Sequence, residues 1–330
     1  MTKPTGSEPL PLPSTLKWLG GLFTLLSVAF AAVLLVRHGG EVGQQWADLQ
    51  AAGWELRPAW LGASLALFVL NLVVLGLLWV WLLRALGGRL SAISGLRIWS
   101  WTNLGRYLPG KVWQLSALAV YMRRQQSSAG IALGSSAALQ VLLLATGAGF
   151  AVATLGIRLS GGDTATIGAA LAVAAGGLLL VLRPGVVVGA SAWMARRLGE
   201  PEPAASLPTG VVWGVAAGTA LSWLLAGLAL IALWRGAGGG PGPDLLTWTG
   251  AFTTAYLAGY IAVFVPAGMI VREGTLAVLL VSIGGVEGAA AAGIAIAARL
   301  WSVVAELLTA ALAWMIPVRQ PDESEGVAEE

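Results

Sequence analysis

The stretch Leu246–Ile283, LTWTGAFTTAYLAGYIAVFVPAGMIVREGTLAVLLVSI, contains the pattern that decides the fold. Its first part, up to Val265, is apolar, and Pro266-Ala267-Gly268 then interrupts it. The next apolar part, Gly274–Ile283, is much shorter than the roughly 20 residues of a membrane-crossing helix. Broken helices are tolerated at membrane depth only where the freed backbone is buried in protein or lines a cavity. We therefore predict a re-entrant helical hairpin near residues 246–285.

A similar pattern occurs between residues 96 and 122. An aromatic and basic segment leads to Tyr107-Leu108-Pro109-Gly110-Lys111, and the apolar piece after it, Val112–Met122, has about 11 residues. Because both ends of this segment are basic, we interpret it as a second hairpin that enters and leaves on one side of the membrane. The alternative is two complete helix pairs in an eight-span bundle without symmetry.

The composition is that of a membrane protein. Of the 330 residues, 57% are hydrophobic and 11% are charged, whereas soluble proteins have roughly 25% charged residues. This excludes a disordered protein, a disulfide scaffold and an ordinary cytosolic enzyme. With no Cys and one His, we predict no metal site and no cofactor. Six stretches are long and apolar enough to cross the membrane: Thr15–Val36, Ala59–Leu83, Ala129–Leu155, Ala165–Leu182, Thr209–Trp234 and Ala289–Ile316.

The order of these segments is that of an inverted-topology repeat. The first half reads span, span, hairpin, span and begins inside, and the second half reads the same way and begins outside. The two breaks lie 157 residues apart. We predict an all-α polytopic protein with a first repeat at 15–160, a second at 161–318, and tails at 1–14 and 319–330. Inverted repeats with broken helices are typical of transporters, with the substrate site at the repeat interface.

The distribution of charges predicts the orientation. The segment Arg84–Ser127 holds seven Lys and Arg residues and no acid, whereas the opposite connections mix basic and acidic residues. Because cytoplasmic loops carry an excess of Lys and Arg, we predict a bacterial inner-membrane protein with both termini in the cytoplasm. The longest hydrophilic stretches are the connection after the first span, the connection after the fourth span, and the acidic tail Asp322–Glu330.

Four charged residues cannot easily reach water in the predicted topology: Arg272, Glu273, Arg299 and Glu306. A charge at mid-bilayer costs about 2.5–3.5 kcal/mol on insertion scales, so each needs a partner or a wet cavity. Arg299 and Glu306 lie about 10 Å apart on one helix face, too far to pair. We therefore predict an Arg299–Glu273 or a Glu306–Arg272 contact. A structural ion pair and a role in ligand or proton handling both remain open.

Uncharged polar and small residues also occur within the predicted spans. For Asn71 and Gln140, helix–helix hydrogen bonding is the favoured interpretation. Gly210, Gly214 and Gly218 form two overlapping GxxxG motifs. Small residues at this spacing allow helices to approach closely, and we predict that this packing is intramolecular.

The first break combines cations with aromatic residues. Arg106 and Lys111 flank Pro109-Gly110, where they are candidates for holding a phosphate. The nearby Arg residues need no function beyond the positive-inside rule and attraction to anionic lipids. Nucleic acid is a poor partner for cations that lie on or in the membrane. The aromatic candidates for lining a headgroup path are Trp99, Trp101, Tyr107 and Trp113.

Two motifs give the chain a family resemblance. Arg106-Tyr107-Leu108-Pro109-Gly110-Lys111 and Val265-Pro266-Ala267-Gly268-Met269-Ile270-Val271-Arg272-Glu273 resemble the lysylphosphatidylglycerol synthase transmembrane family. This is the flippase-like membrane domain of the bacterial multiple peptide resistance factor, found also in stand-alone proteins encoded beside glycosyltransferases. The family commonly has an arginine in its last helix, and Arg299 looks like it. The resemblance covers most of the chain, from the first span to the sixth.

The resemblance implies a role in moving a lipid between leaflets, with two re-entrant helices around a central cavity. Family members often have Gly-Glu where this chain has Trp113-Gln114, and an arginine near Ala117. The lost acid argues against a cationic headgroup there, including lysyl-phosphatidylglycerol. We expect no synthesis of that lipid, because the aminoacyl-transferase domain is not in this sequence. The matching residues are Pro109, Gly110, Lys111, Pro266, Gly268, Arg272, Glu273 and Arg299.

We predict a non-enzymatic protein that binds an anionic lipid, either a phospholipid or a polyprenyl-phosphate-linked glycan, and moves it between leaflets. The alternatives are a membrane-embedded transferase and a non-catalytic scaffold for a membrane glycosyltransferase, and a homo-oligomer is left open. Headgroup binding is assigned to Arg106, Lys111, Arg272 and Arg299, and charge balance or proton coupling to Glu273 and Glu306. The hairpin and cavity residues are Trp101, Tyr107, Pro109, Gly110, Trp113, Gln114, Pro266 and Gly268.

Overall fold

The structure is a computed structural model that describes part of the chain. The described residues are 55–107, 112–124, 128–197, 206–262, 268 and 270–316. The first predicted span and the two tails lie outside them. So do six residues of the predicted breaks, namely Leu108, Pro109, Gly110, Lys111, Pro266 and Ala267.

The described part of the chain is all-α, as predicted. Its helices are α1 (Pro58–Ala85), α2 (Ala92–Asn103), α3 (Val112–Arg124), α4 (Ala129–Leu159), α5 (Thr164–Val181), α6 (Pro184–Arg197), α7 (Thr209–Gly236), α8 (Leu245–Ile261), α9 (Val271–Ser282) and α10 (Gly288–Met315). A short 3₁₀ helix, Leu104–Tyr107, follows α2.

Five of these helices are long and apolar enough to cross a membrane. They are α1, α4, α5, α7 and α10, with 28, 31, 18, 28 and 28 residues. They correspond to the last five predicted spans, which are thereby confirmed as helices. The largest difference in length is at α4, which was expected to end at Leu155 and continues to Leu159. At 1.5 Å per residue, a 28-residue helix is about 42 Å long and exceeds the hydrocarbon core of a bilayer.

Four shorter helices form two pairs, each interrupted by a break. Helices α2 and α3 have 12 and 13 residues, and α8 and α9 have 17 and 12 residues. Each is shorter than the roughly 20 residues needed for a full crossing. We call α2–α3 the first broken pair and α8–α9 the second broken pair. The two predicted hairpins fall on these pairs.

Both broken pairs pack on the same two long helices. In the first pair, α2 contacts α10 and α3 contacts α4, whereas in the second, α8 contacts α4 and α9 contacts α10. Helices α1 and α7 pack against each other, α1 also contacts α2, and α7 also contacts α8. We compare the two halves by matching α1, α2, α3 and α4 with α7, α8, α9 and α10, in that order. Each contacting pair of helices in this set then corresponds to a contacting pair. An inverted repeat has this property, but the repeat and its boundaries both stay predictions.

The contact between α1 and α7 depends on two glycines. A Cβ atom on Gly214 would lie 2.3 Å from the ring of Trp81, and one on Gly218 would lie 2.5 Å from Leu78. These distances confirm that the two glycines serve packing within the chain. Gly210, the first glycine of the motif, has no such neighbour within 4 Å.

The connection after the fourth span contains a helix that we did not predict. Helix α6 has 14 residues, too few to cross a bilayer. It packs on α4, where Ser191 Oγ donates a hydrogen bond of 2.9 Å to the carbonyl oxygen of Gly134. Pro184 is compatible with a helix here because it occupies the first turn, where a backbone N–H has no intrahelical acceptor.

Acidic N-caps mark one end of the helix bundle. Asp163, Asp244 and Glu287 precede α5, α8 and α10 and accept hydrogen bonds from backbone N–H groups. The pKa of the Asp244 carboxyl is lowered, above all by its hydrogen bond with Arg158 from the end of α4. The backbone hydrogen bond from Ala289 is the main cause of the lowered pKa of Glu287. Carboxylates at these positions also interact favourably with the helix dipole.

An arginine joins two helices at the opposite end. The Arg97 guanidinium on α2 donates hydrogen bonds to the carbonyl oxygens of Ala313, Trp314 and Ile316 at 3.1, 2.6 and 2.5 Å. It also lies 5.1 Å from the centre of the Trp314 ring. The last carbonyls of a helix have no intrahelical donor, and a cation there is favoured by the dipole. The first broken pair is thereby attached to α10.

Candidate functional site

A cavity of about 420 Å³ lies between the two broken pairs. Helices α4, α6 and α10 complete its wall, and a smaller chamber of about 90 Å³ shares part of its lining. Trp193 and Tyr260 line the cavity and are 51% and 39% exposed, so the cavity reaches the protein surface near α6 and α8. The polar and aromatic lining residues are Asn103, Gln114, Ser136, Gln140, Trp193, Tyr256, Tyr260, Arg272 and Arg299.

Two of these residues place the cavity well inside the spans. Gln140 lies 11 residues after the first residue of α4, and Arg299 lies 11 residues after the first residue of α10. At 1.5 Å per residue, each is about 16 Å along its helix. Because α4 and α10 begin at opposite ends of the bundle, both residues lie near the middle of its thickness.

The second break brings its backbone tightly against α8. Gly268 has φ +65°, a left-handed conformation that residues with a Cβ rarely adopt. Its own position leaves no room for a side chain, because a Cβ there would lie 2.6 Å from the carbonyl oxygen of Gly259. Ile270 precedes α9 and has φ +70°, which is strained for a β-branched residue. Strained backbone of this kind occurs at functional sites, held in place by the surrounding structure.

The ion pair that we predicted between the second broken pair and the last span is present. Arg299 Nε lies 3.6 Å from Glu273 Oε1, and each side chain is 17% exposed. Both Glu273 oxygens are buried and accept no hydrogen bond from any residue within the described ranges. Glu273 also lies in the first turn of α9, where the helix dipole favours an anion. The contact therefore joins α9 to α10 beside the cavity.

Arg272 is held by aromatic rings. The centre of its guanidinium lies 4.7 Å from the centre of the Phe252 ring and 5.5 Å from that of Tyr256. Cation–π contacts at such distances stabilise a guanidinium that is partly removed from water. The Tyr256 ring in turn stacks with Tyr260, with centroids 6.4 Å apart. Arg272 thus lies at the cavity wall next to two tyrosine rings.

The hydrogen bonds of the amide side chains differ in part from those that we predicted. Gln114 Nε2 donates a hydrogen bond of 2.6 Å to Asn103 Oδ1, so α3 and α2 are joined at the cavity wall. Gln140 lines the cavity, and its buried Nε2 donates no hydrogen bond to a described residue. The Asn71 Oδ1 atom likewise accepts none from the described chain. Within the described residues, neither of these two atoms thus forms the helix–helix hydrogen bond that was favoured for its residue.

The remaining predicted site residues are only partly placed. Trp101 is not on the cavity wall but packs against Trp314, with ring centroids 5.7 Å apart. Helical periodicity alone did not indicate which face of α2 would meet α10. Glu306 lies on α10 with one buried carboxylate oxygen. The side chains of Arg106, Tyr107 and Trp113 lie outside the described residues, as do Pro109, Gly110, Lys111 and Pro266.

We expect Gly268→Ala to destabilise the folded protein by about 1–3 kcal/mol, because it adds a strained φ and a contact with Gly259. Unfolding in mixed detergent, followed by tryptophan fluorescence, measures this. Gly274→Ala on α9 is the matched control, since a Cβ there meets no atom within 4 Å. It should be neutral or stabilising by up to about 1 kcal/mol. Equal stability of the two variants would contradict the assigned role of Gly268.

These features define a multi-pass membrane protein with a polar cavity between two broken helix pairs. The chain belongs to the family described as Lysylphosphatidylglycerol synthase TM region, which it matches over residues 22–310. This confirms the family that the two break motifs predicted. No curated protein and no solved structure matches the chain.

Proposed function

We propose that the protein binds the headgroup of an anionic lipid in the cavity and moves the lipid between leaflets. One observation carries the proposal: Arg272 and Arg299 line a cavity midway through the bundle. Membership in a family of membrane domains linked to lipid handling supports it. Charged side chains inside a membrane are costly and typically mark a substrate pathway.

The two arginines supply the chemistry that a lipid phosphate needs. A guanidinium presents several N–H donors in a planar fork that matches phosphate oxygens. The aromatic contacts of Arg272 and the Glu273 contact of Arg299 hold both groups at the wall. We assign phosphate binding to Arg272 and Arg299, and charge balance to Glu273 and Glu306.

The rest of the lining fits a lipid whose chains stay in the bilayer. Apolar residues such as Leu115, Val141 and Leu144 share the wall with the polar groups. The cavity reaches the surface beside Trp193 and Tyr260, so a headgroup bound inside leaves its chains outside. In this proposal, the two broken pairs form re-entrant hairpins, and the headgroup passes between them.

We further propose that the end of the bundle that holds Arg97 faces the cytoplasm. Arg84 lies in the last turn of α1, which ends there, and Arg183 follows the end of α5, whereas the acidic N-caps are at the other end. This distribution agrees with the excess of Lys and Arg in cytoplasmic loops. In this orientation, Arg106 and Lys111 meet the phosphate from the cytoplasmic side, and Arg272 meets it from the outer side.

Two measurements on the purified full chain test the proposal. Mass spectrometry of the lipids that co-purify with it should show enrichment of an anionic lipid over the bulk membrane. In liposomes, the protein should accelerate the exposure of a fluorescent phosphatidylglycerol to a membrane-impermeant quencher, compared with protein-free vesicles. A bulk-like lipid profile together with no acceleration would reject the proposal.

The same preparations distinguish the two alternatives. A chemically altered lipid that accumulates with time would indicate a membrane-embedded transferase. Co-purification of a glycosyltransferase with no lipid selectivity would indicate a scaffold. Either result would count against lipid movement as the activity of this chain.

A further inference from the structure

The two halves of the cavity wall have charged side chains in one half and uncharged amides at the corresponding positions of the other. Helix α9 begins 159 residues after α3, and α10 begins 159 residues after α4. With this spacing, Glu273 corresponds to Gln114, and Arg299 corresponds to Gln140. The ion pair of the second half is thus matched by two uncharged amides in the first half. The matching helix contacts of the two halves, described above, support this correspondence.

The amide half of the site offers hydrogen bonds without charge. Gln114 and Gln140 line both the cavity and the smaller chamber, together with Asn103 and Ser136. An amide presents two N–H donors and a carbonyl acceptor, and a hydroxyl both donates and accepts. Gln140 Nε2 is buried and donates to no residue in the described ranges. A buried donor without an acceptor is costly, and a rotation of the Gln140 side chain towards a ligand oxygen would remove that cost.

Aromatic rings share the cavity wall with the amides and the arginines. The stacked rings of Tyr256 and Tyr260 are inclined by only 17°, and Trp193 lines the cavity from α6. The face of an aromatic ring packs against the C–H face of a sugar or inositol ring, while amides and hydroxyls bind the hydroxyl groups at its edge. The cavity volume of about 420 Å³ is within the range of roughly 300–1,000 Å³ typical of small-molecule sites.

A cationic headgroup does not fit the same wall. The described lining includes Arg272 and Arg299 but no carboxylate. Aromatic rings bind quaternary ammonium groups in other proteins. Here, the Arg272 guanidinium already lies against the Tyr256 ring, so a second positive charge there would be repelled.

We propose that the lipid bound in this cavity carries an uncharged polyol attached through a phosphodiester. Arg272 and Arg299 bind the phosphate, and Gln140, Gln114 and Asn103 bind the hydroxyl groups. This inference rests on the proposed function, since it takes the cavity as the headgroup site. The same chemistry occurs in a phosphatidylinositol and in a polyprenyl-phosphate hexose, which differ in their anchor and in the ring that the phosphate carries.

Native mass spectrometry of the full chain in detergent measures the preference directly. The probes are phosphatidylinositol, a polyprenyl-phosphate hexose, phosphatidic acid and phosphatidylcholine. At least one of the two polyol lipids should bind about tenfold more tightly than phosphatidic acid, the gain expected from added hydrogen bonds in a buried site. The polyol lipid that binds more tightly is the one that the cavity prefers. Binding of phosphatidic acid or phosphatidylcholine as tight as that of both polyol lipids would overturn the proposal.

A variant tests whether the amides Gln114 and Gln140 cause the preference for polyol lipids. Gln140→Leu should weaken polyol-lipid binding about tenfold and leave phosphatidic acid binding unchanged. Asn71→Leu is the matched control, because Asn71 is another amide within a span but is not in the cavity lining. An unchanged polyol preference in folded Gln140→Leu, or an equal loss in Asn71→Leu, would overturn the assignment.

The two proposals fail in different ways. Polyol selectivity without acceleration in the liposome assay, repeated with a fluorescent form of the preferred polyol lipid, would leave the headgroup assignment in place and reject lipid movement. Accelerated exposure of phosphatidylglycerol, with no preference for a polyol lipid over phosphatidic acid, would reject the headgroup assignment and leave lipid movement in place. The selectivity of the wild-type protein decides the headgroup question even if a variant does not fold.

Discussion

Replacing Glu273 with Gln is expected to destabilise the folded protein by about 1–3 kcal/mol, less than the roughly 3–5 kcal/mol for breaking a fully buried ion pair, because both side chains keep some exposure. The physical reason is the position of Arg299, which lies midway along α10 and 3.6 Å from the Glu273 carboxylate. A neutral amide at position 273 removes the carboxylate charge from a guanidinium that is 17% exposed. Unfolding in mixed detergent, followed by the fluorescence of the 16 Trp residues, measures the change.

The matched control is the double variant Glu273→Gln/Arg299→Gln. It should be more stable than either single variant, because it leaves no uncompensated charge in the membrane. It also reproduces the two amides, Gln114 and Gln140, that the first half carries at the corresponding positions. A double variant whose loss equals the sum of the two single losses would show that the pair is not coupled.

Replacing Arg272 with Ala is expected to reduce the accelerated exposure of phosphatidylglycerol to the level of protein-free liposomes. Hydrogen bonds to charged groups contribute about 1.5–3 kcal/mol, so losing the arginine should weaken phosphate binding roughly tenfold to 150-fold. Arg272→Lys keeps the charge but not the planar fork and should retain part of the activity. Loss of the two aromatic contacts should cost about 0.5–2 kcal/mol each, so the variants are compared at equal amounts of folded protein.

Arg235→Ala is the control for this variant. Arg235 lies 4.9 Å from the centre of the Trp60 ring and therefore has a similar aromatic contact, but it is at the end of α7 and outside the cavity lining. Its loss should leave lipid movement unchanged. Equal activity of Arg272→Ala and wild type would reject Arg272 as the phosphate ligand, as would equal losses in both variants.

Much of the fold could be predicted because membrane segments follow from length and polarity. The five described spans were found from apolar runs alone, since the thickness of the bilayer fixes their length. The Arg299–Glu273 contact was also predictable, because few charges occur in the predicted membrane segments and each needs a partner. The breaks at Pro109-Gly110 and Pro266 predicted interrupted helices, and short helices do occur on either side of both.

The rest depended on tertiary packing that no local pattern contains. Helix α6 was missed because its 14 residues are too few to cross and end in two arginines, as in a loop. Trp101 was assigned to the cavity but faces Trp314, because the face that α2 presents depends on where α10 lies. Gln140 was interpreted as a packing residue, and only the position of the broken pairs showed that it lines a cavity.

The helices α1 to α4 make the same types of contact as the helices α7 to α10, and this correspondence has an energetic consequence. If the second broken pair took the place that the first has now, every type of helix contact among these eight helices would be conserved. The two arrangements would contain the same types of helix contact, and the extent of each contact would set the difference in packing energy between them. Their populations would be set by side chains that have no equal counterpart, such as Glu273 and Gln114. A bound headgroup would then shift the equilibrium only by its difference in affinity for the two arrangements.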